Sequence, residues 1–124
     1  MLTPFQSYLS SIGVNVKEVN ETSISFESNN LQYLFLTDSS DPYYFRLILP
    51  NIAIVTDENT SKINQVVNSS NTKFKVAKSF IIDDKVWVSV EQFVYSRENI
   101  NELFNRSLNL LETFMSDFRK EIKA

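Results

Sequence analysis

The sequence predicts one α+β domain over residues 1–124, an antiparallel sheet packed by N- and C-terminal helices in the order α-β-β-β-α-β-β-α. Three observations carry this. Residues 96–124 repeat apolar side chains at helical spacing with no Gly or Pro to interrupt them. Residues 31–36 and 43–49 are apolar on both phases of a strand, as central strands are. Residues 23–28, 72–79 and 85–93 alternate apolar with polar, the mark of a half-buried strand. Repeats, linkers and low-complexity segments are absent, so a single layered domain is the economical reading.

The elements follow in order. Thr3 reads as an N-cap with Pro4 at the first helical position, and Gly13, the only glycine, as the residue just past the helix end. Between them Phe5, Tyr8, Leu9 and Ile12 share a face. Residues 15–18 are extended, and Asn20-Glu21 makes a turn. In the next strand Ile24 and Phe26 point inward, and Asn29-Asn30 turns the chain because Asn tolerates positive φ. The loop around Asp38 and Asp41 separates the two central strands, the second ending at Pro50-Asn51. Thr56-Asp57-Glu58 starts a helix whose buried face is Ile63, Val66 and Val67 and whose end is Asn68-Ser69-Ser70-Asn71. Phe74 and Val76 point inward from the following strand. Asp83-Asp84 then turns into a strand with Val86, Val88 and Val90 on one face and Trp87, Ser89 and Glu91 on the other.

The tail helix starts at Ser96 as N-cap, with Glu98 in its first turn. Its stripe is Ile100, Phe104, Ser107, Leu111, Phe114/Met115, Phe118 and Ile122, widened by Leu103, Leu108 and Leu110. Arg119, Lys120 and Lys123 suit its C-terminal end. The apolar surface is wider than one contact requires.

Composition excludes several function classes. Neither His nor Cys occurs, which removes Ser-His-Asp and Cys-His catalysis, ordinary zinc sites and disulfides. A single glycine cannot build a phosphate-cradling loop. A net charge of −3 disfavours nucleic acid and anionic membranes as partners. The N-terminus lacks the basic and apolar regions of a signal peptide, and no apolar run reaches the roughly 20 residues of a membrane span. The expectation is a cytoplasmic protein, and the sequons at Asn20, Asn59, Asn68 and Asn105 are accidents of an Asn-rich chain.

Residues 63–93 carry a resemblance. Asn68-Ser69-Ser70-Asn71, then Phe74, Lys78, Asp83-Asp84 and the strand closing on Glu91 resemble the YbjN family of small bacterial domains. The element order resembles the type III secretion chaperone-like fold. The first half diverges, and the usual glycine after the acidic turn is missing. The resemblance implies a homodimer with a regulatory or chaperone-like role, a protein partner or client, no cofactor and no catalytic residues.

Several constellations have simpler structural explanations. Asn68 and Asn71 suit a helix cap and an Asx turn. Lys73, Lys75 and Lys78 lie opposite Phe74 on an alternating strand, so they blunt an edge rather than form a basic-aromatic strip. Asp38, Asp41, Asp83 and Asp84 read as turn residues without a calcium-loop pattern. No catalytic, cofactor-binding or metal residue is assigned. The aromatic content remains, and Tyr33, Phe35, Tyr44, Trp87, Phe93 and Tyr95 are the candidate partner-binding residues. The alternative is a small-ligand or sensory domain with an apolar pocket between sheet and tail helix, lined by Phe104, Leu108 and Phe35.

Overall fold

A computed structural model describes residues 1–124. The first helix, α1 (Leu2–Ser11), starts a residue before the expected Thr3 cap, with Met1 at the N-cap. It ends as its glycine predicts. Gly13 sits at φ +77, its N–H donates to the Ser10 carbonyl at 3.1 Å, and the Val14 N–H donates to the Leu9 carbonyl at 2.9 Å. This pair of bonds satisfies the last carbonyls and folds Val14 back onto the core. Ile12 falls beyond the last turn and is exposed rather than buried.

Four strands follow where three were predicted: β1 (Val16–Asn20), β2 (Ser23–Ser28), β3 (Leu31–Asp38) and β4 (Asp41–Ile54). The additional one, β1, is the extended segment seen in sequence, paired to β2 as an edge strand and exposed throughout. Asn29 and Asn30 both take positive φ, which gives the twist a tight hairpin needs. β4 does not stop at Pro50. It passes through a bulge at Asn51, φ 58, and resumes pairing at Ala53.

Next come α2 (Thr60–Lys73), β5 (Ala77–Ile82), β6 (Lys85–Phe93) and α3 (Ile100–Lys123). α2 starts after, not at, Thr56. Thr56 and Asn59 exchange side-chain to backbone bonds that hold the preceding turn. α2 runs past Asn71 to Lys73, so Asn68 is an exposed interior residue and caps nothing. Residues 72–76 are therefore helix end and turn, and the lysine-phenylalanine alternation expected of a strand there does not exist. α3 begins at Ile100 because Asn99 is left-handed, φ 59. Ser96 instead accepts the Glu98 N–H in the turn before it.

The sheet is antiparallel in the order β1-β2-β3-β4-β6-β5. Its registered row Ile24, Phe35, Leu47, Val90 and Ala77 faces the helices and is fully buried. Phe5 of α1 stacks on Phe35 at 3.9 Å, and Phe104 of α3 meets Phe35 edge-on at 6.1 Å. Phe74 and Phe114 close the far side at 4.8 Å. α2 lies on this same face, held by Asn71 against Ser79. All three helices thus occupy one side, which makes a two-layer α+β domain.

Val76 links α2 to β5 under strain. It has φ 70, and the Ala77 N–H reaches back to the Lys75 carbonyl at 2.7 Å, a three-residue turn of the uncommon hand. A β-branched residue in that region costs about 1–3 kcal/mol. Its side chain is 44% exposed, so little packing opposes a change. Val76→Gly is expected to stabilise the fold by about 1 kcal/mol, the strain relieved less about 0.5–1 kcal/mol of glycine entropy. Thermal melting checks this, and a lowered melting temperature would show that the strain is absent.

Candidate functional site

The opposite face of the sheet has no helix over it. Its rows follow from the register: Tyr44 beside Phe93; Leu36, Arg46 and Glu91; Leu34, Ile48 and Ser89; and Trp87 beside Phe80. From Phe93 to Trp87 this surface extends roughly 20 Å, six residues at about 3.4 Å each. One end carries a chain of rings, Tyr44 to Phe93 at 6.1 Å, Phe93 to Tyr95 at 6.3 Å and Tyr95 to Tyr43 at 4.9 Å. The other end carries Phe80 and Trp87 at 6.1 Å.

The six aromatics expected to bind a partner divide between the two sides. Tyr44, Trp87, Phe93 and Tyr95 belong to the uncovered side, with Phe93 60% and Tyr95 76% exposed. Tyr33 and Phe35 do not. They sit on the opposite strand phase, at 1% and 0% exposure, stacked on Phe26 and Phe5 beneath the helices. Burial takes both out of any partner surface. The two central strands were expected to be covered on both faces. On the second face of these strands only Ile48 is buried, while Leu34 and Leu36 remain half-exposed.

Sequence reasoning missed Phe80 and Arg46 as members of this surface. Arg46 lies 5.0 Å over the Phe80 ring and 3.7 Å from Glu91, and its buried Nε has no hydrogen-bond acceptor. The ring contact uses the guanidinium face, and the exposed ion pair adds little. Pairing of Phe80 with Trp87 was readable only once the β5–β6 hairpin register was known.

Tyr44 donates to Glu91 at 2.8 Å. Its phenol is pushed up from 10.0 to about 12, first by burial, then by that hydrogen bond. Tyr33, bonded to Glu112 at 3.3 Å, is raised further, again with burial leading. A raised tyrosine pKa stabilises the fold below the unfolded value of 10 and loses that contribution as pH climbs through the folded value. Stability is expected to fall above about pH 10, and less steeply in Tyr44→Phe. Chemical denaturation at pH 9 and 11 compares the two, and equal slopes would rule out the Tyr44 contribution.

The apolar pocket expected among Phe104, Leu108 and Phe35 is filled. Phe104 contacts Phe5, Tyr8, Phe35 and Phe45, and no side chain of the three is more than 8% exposed. The four turn aspartates are engaged locally: Asp38 accepts from Ser40, Asp41 from the Tyr43 N–H and Asp84 from Lys85 at 3.1 Å, while Asp83 takes the left-handed turn position. No helix is long and apolar enough to cross a membrane.

The Asn71, Phe74 and Lys78 positions that carry the family resemblance converge on one joint. The Asn71 side-chain amide pairs with both backbone polar groups of Ser79, and Lys78 donates to the Asn71 and Phe74 carbonyls at 2.6 Å each. They fasten the end of α2 to the β5 edge, a structural role.

No family model matches the sequence, and no curated protein matches it. Among solved structures, the crystal structure of YbjN from E. coli, proposed there as a transcription regulator, superposes with a TM-score of 0.73 at 12% identity. The match covers 97% of this chain and 92% of that one. The chain therefore has a YbjN-like fold.

Proposed function

We propose that this chain is a non-enzymatic interaction module of regulatory type, and that its uncovered sheet face pairs with a second copy of the chain. The observation that carries the reading is the aromatic surface Tyr44, Phe93, Tyr95, Trp87 and Phe80 on the side without helices. Exposed apolar area of this kind marks protein contact, and Tyr and Trp combine area with a polar tip. A two-fold contact suits its charges, because Arg46 and Glu91 lie in one row and can exchange partners across the axis. The regulator description of the E. coli YbjN is compatible with such a role. Catalysis finds no support in a chain without His or Cys whose ion pairs are all partly exposed.

Light scattering and sedimentation test this. Wild type is expected to weigh as a dimer, and Phe93→Glu as a monomer with an unchanged far-UV spectrum. Trp87, the only tryptophan, reports from the same face, so its emission should shift red in the variant. A wild type that stays monomeric at high concentration removes the self-association reading.

A further inference from the structure

We propose a second site, on the helix side of the molecule, for a small carboxylate with an apolar tail. A cavity of about 400 Å³ lies between α3, the α2–β5 turn and the end of β6. Phe74, Val76, Leu103 and Leu110 provide its apolar lining. Leu103 and Leu110 are the residues that make the α3 stripe wider than its contact with the sheet, so the cavity accounts for that excess. The volume is at the small end of ligand pockets, about 300–1,000 Å³, which suits one short-tailed molecule rather than a folded segment.

The lining carries three cations, Lys73, Lys75 and Arg106, although the protein is acidic overall. Lys73 is occupied by Asp117 at 2.9 Å, but Lys75 and Arg106 belong to none of the chain's ion pairs. Two uncommitted cations lining a largely apolar cavity match a carboxylate head, which Arg can hold through two bonds. The Gln92 side chain adds a polar group within the lining. The strained turn at Val76 forms part of the wall, and strain of this kind gathers at ligand sites.

Octanoate, kept below its micelle-forming concentration, is the probe. Calorimetry and methyl NMR are expected to show saturable binding, with shifts at Val76, Leu103 and Leu110. Octyltrimethylammonium should not bind, and octanol should bind about tenfold more weakly or worse. Lys75→Gln/Arg106→Gln should lose about tenfold or more in octanoate affinity while melting as wild type does, since neither cation holds the fold together. No saturable binding, equal binding of the cationic probe, or an unchanged affinity in the double variant would each overturn the proposal. The site lies on the other side of the sheet from the dimer face, so the two proposals fail independently.

Discussion

Phe104→Ala is expected to destabilise the protein by about 3–5 kcal/mol. Its ring is fully buried and meets Phe5, Tyr8, Phe35 and Phe45, with centroids at 4.9, 5.7, 6.1 and 5.6 Å. These partners come from α1, β3 and β4, so one ring joins α3 to both the first helix and the sheet centre. Truncation leaves a cavity whose walls are other rings on separate elements, which cannot collapse together without moving the elements. Domains of this kind have about 5–15 kcal/mol in total. The variant should therefore lose a large share of its margin and unfold at a much lower urea midpoint than wild type, as urea denaturation followed by circular dichroism will show. A loss below about 1.5 kcal/mol, the cost of a volume-conserving swap, would mean that the core relaxes around the gap.

Asn71→Ala should cost about 2–3 kcal/mol. β5 is an edge strand, and the groups of Ser79 that do not face β6 would otherwise be orphaned under α2. Asn71 satisfies them: its Oδ1 accepts the Ser79 N–H at 2.7 Å and the hydroxyl at 2.9 Å, and its Nδ2 donates to the carbonyl at 3.0 Å. Ser79 is 5% exposed, so water cannot replace these bonds freely. Asn71→Asp keeps the two accepted bonds but sets an acceptor oxygen against the Ser79 carbonyl, so it too should destabilise. A cost for Ala below about 0.5 kcal/mol would show that the clamp contributes little, because Ala is the better helix former and propensity alone would stabilise the variant. The Ala variant also uncovers the β5 edge, and a raised aggregation rate above its midpoint is expected.

Much of the architecture was legible from local chemistry. Gly13, the Asn29-Asn30 pair and the alternation of Ile24 with Phe26 each encode their own conformation within a few residues, because φ preference and strand phase are local properties. The α3 stripe was readable for the same reason, since helical spacing alone brings Phe104, Leu111 and Phe118 onto one face. The elements misread were those in which a local signal met a tertiary constraint. Asn68 to Asn71 look like a helix end, yet packing of Phe74 on Phe114 and the Ser79 clamp carry α2 on to Lys73. Pro50-Asn51 look like a strand end, yet β4 resumes across the bulge because β6 offers partners on both sides of it.

The candidate site separates the two kinds of information most clearly. Sequence by itself determined that no histidine or thiol chemistry is available, that the central strands are apolar on both phases, and that the last helix is over-wide. Only the tertiary structure decided which phase meets the helices. That choice buries Tyr33 and Phe35, leaves Trp87 and Phe93 on the open side, and adds Phe80 and Arg46 beside them. The reason is physical: in a strand apolar on both phases, local pattern is symmetric between the faces. The asymmetry comes from where α1, α2 and α3 pack, a contact between residues distant in sequence.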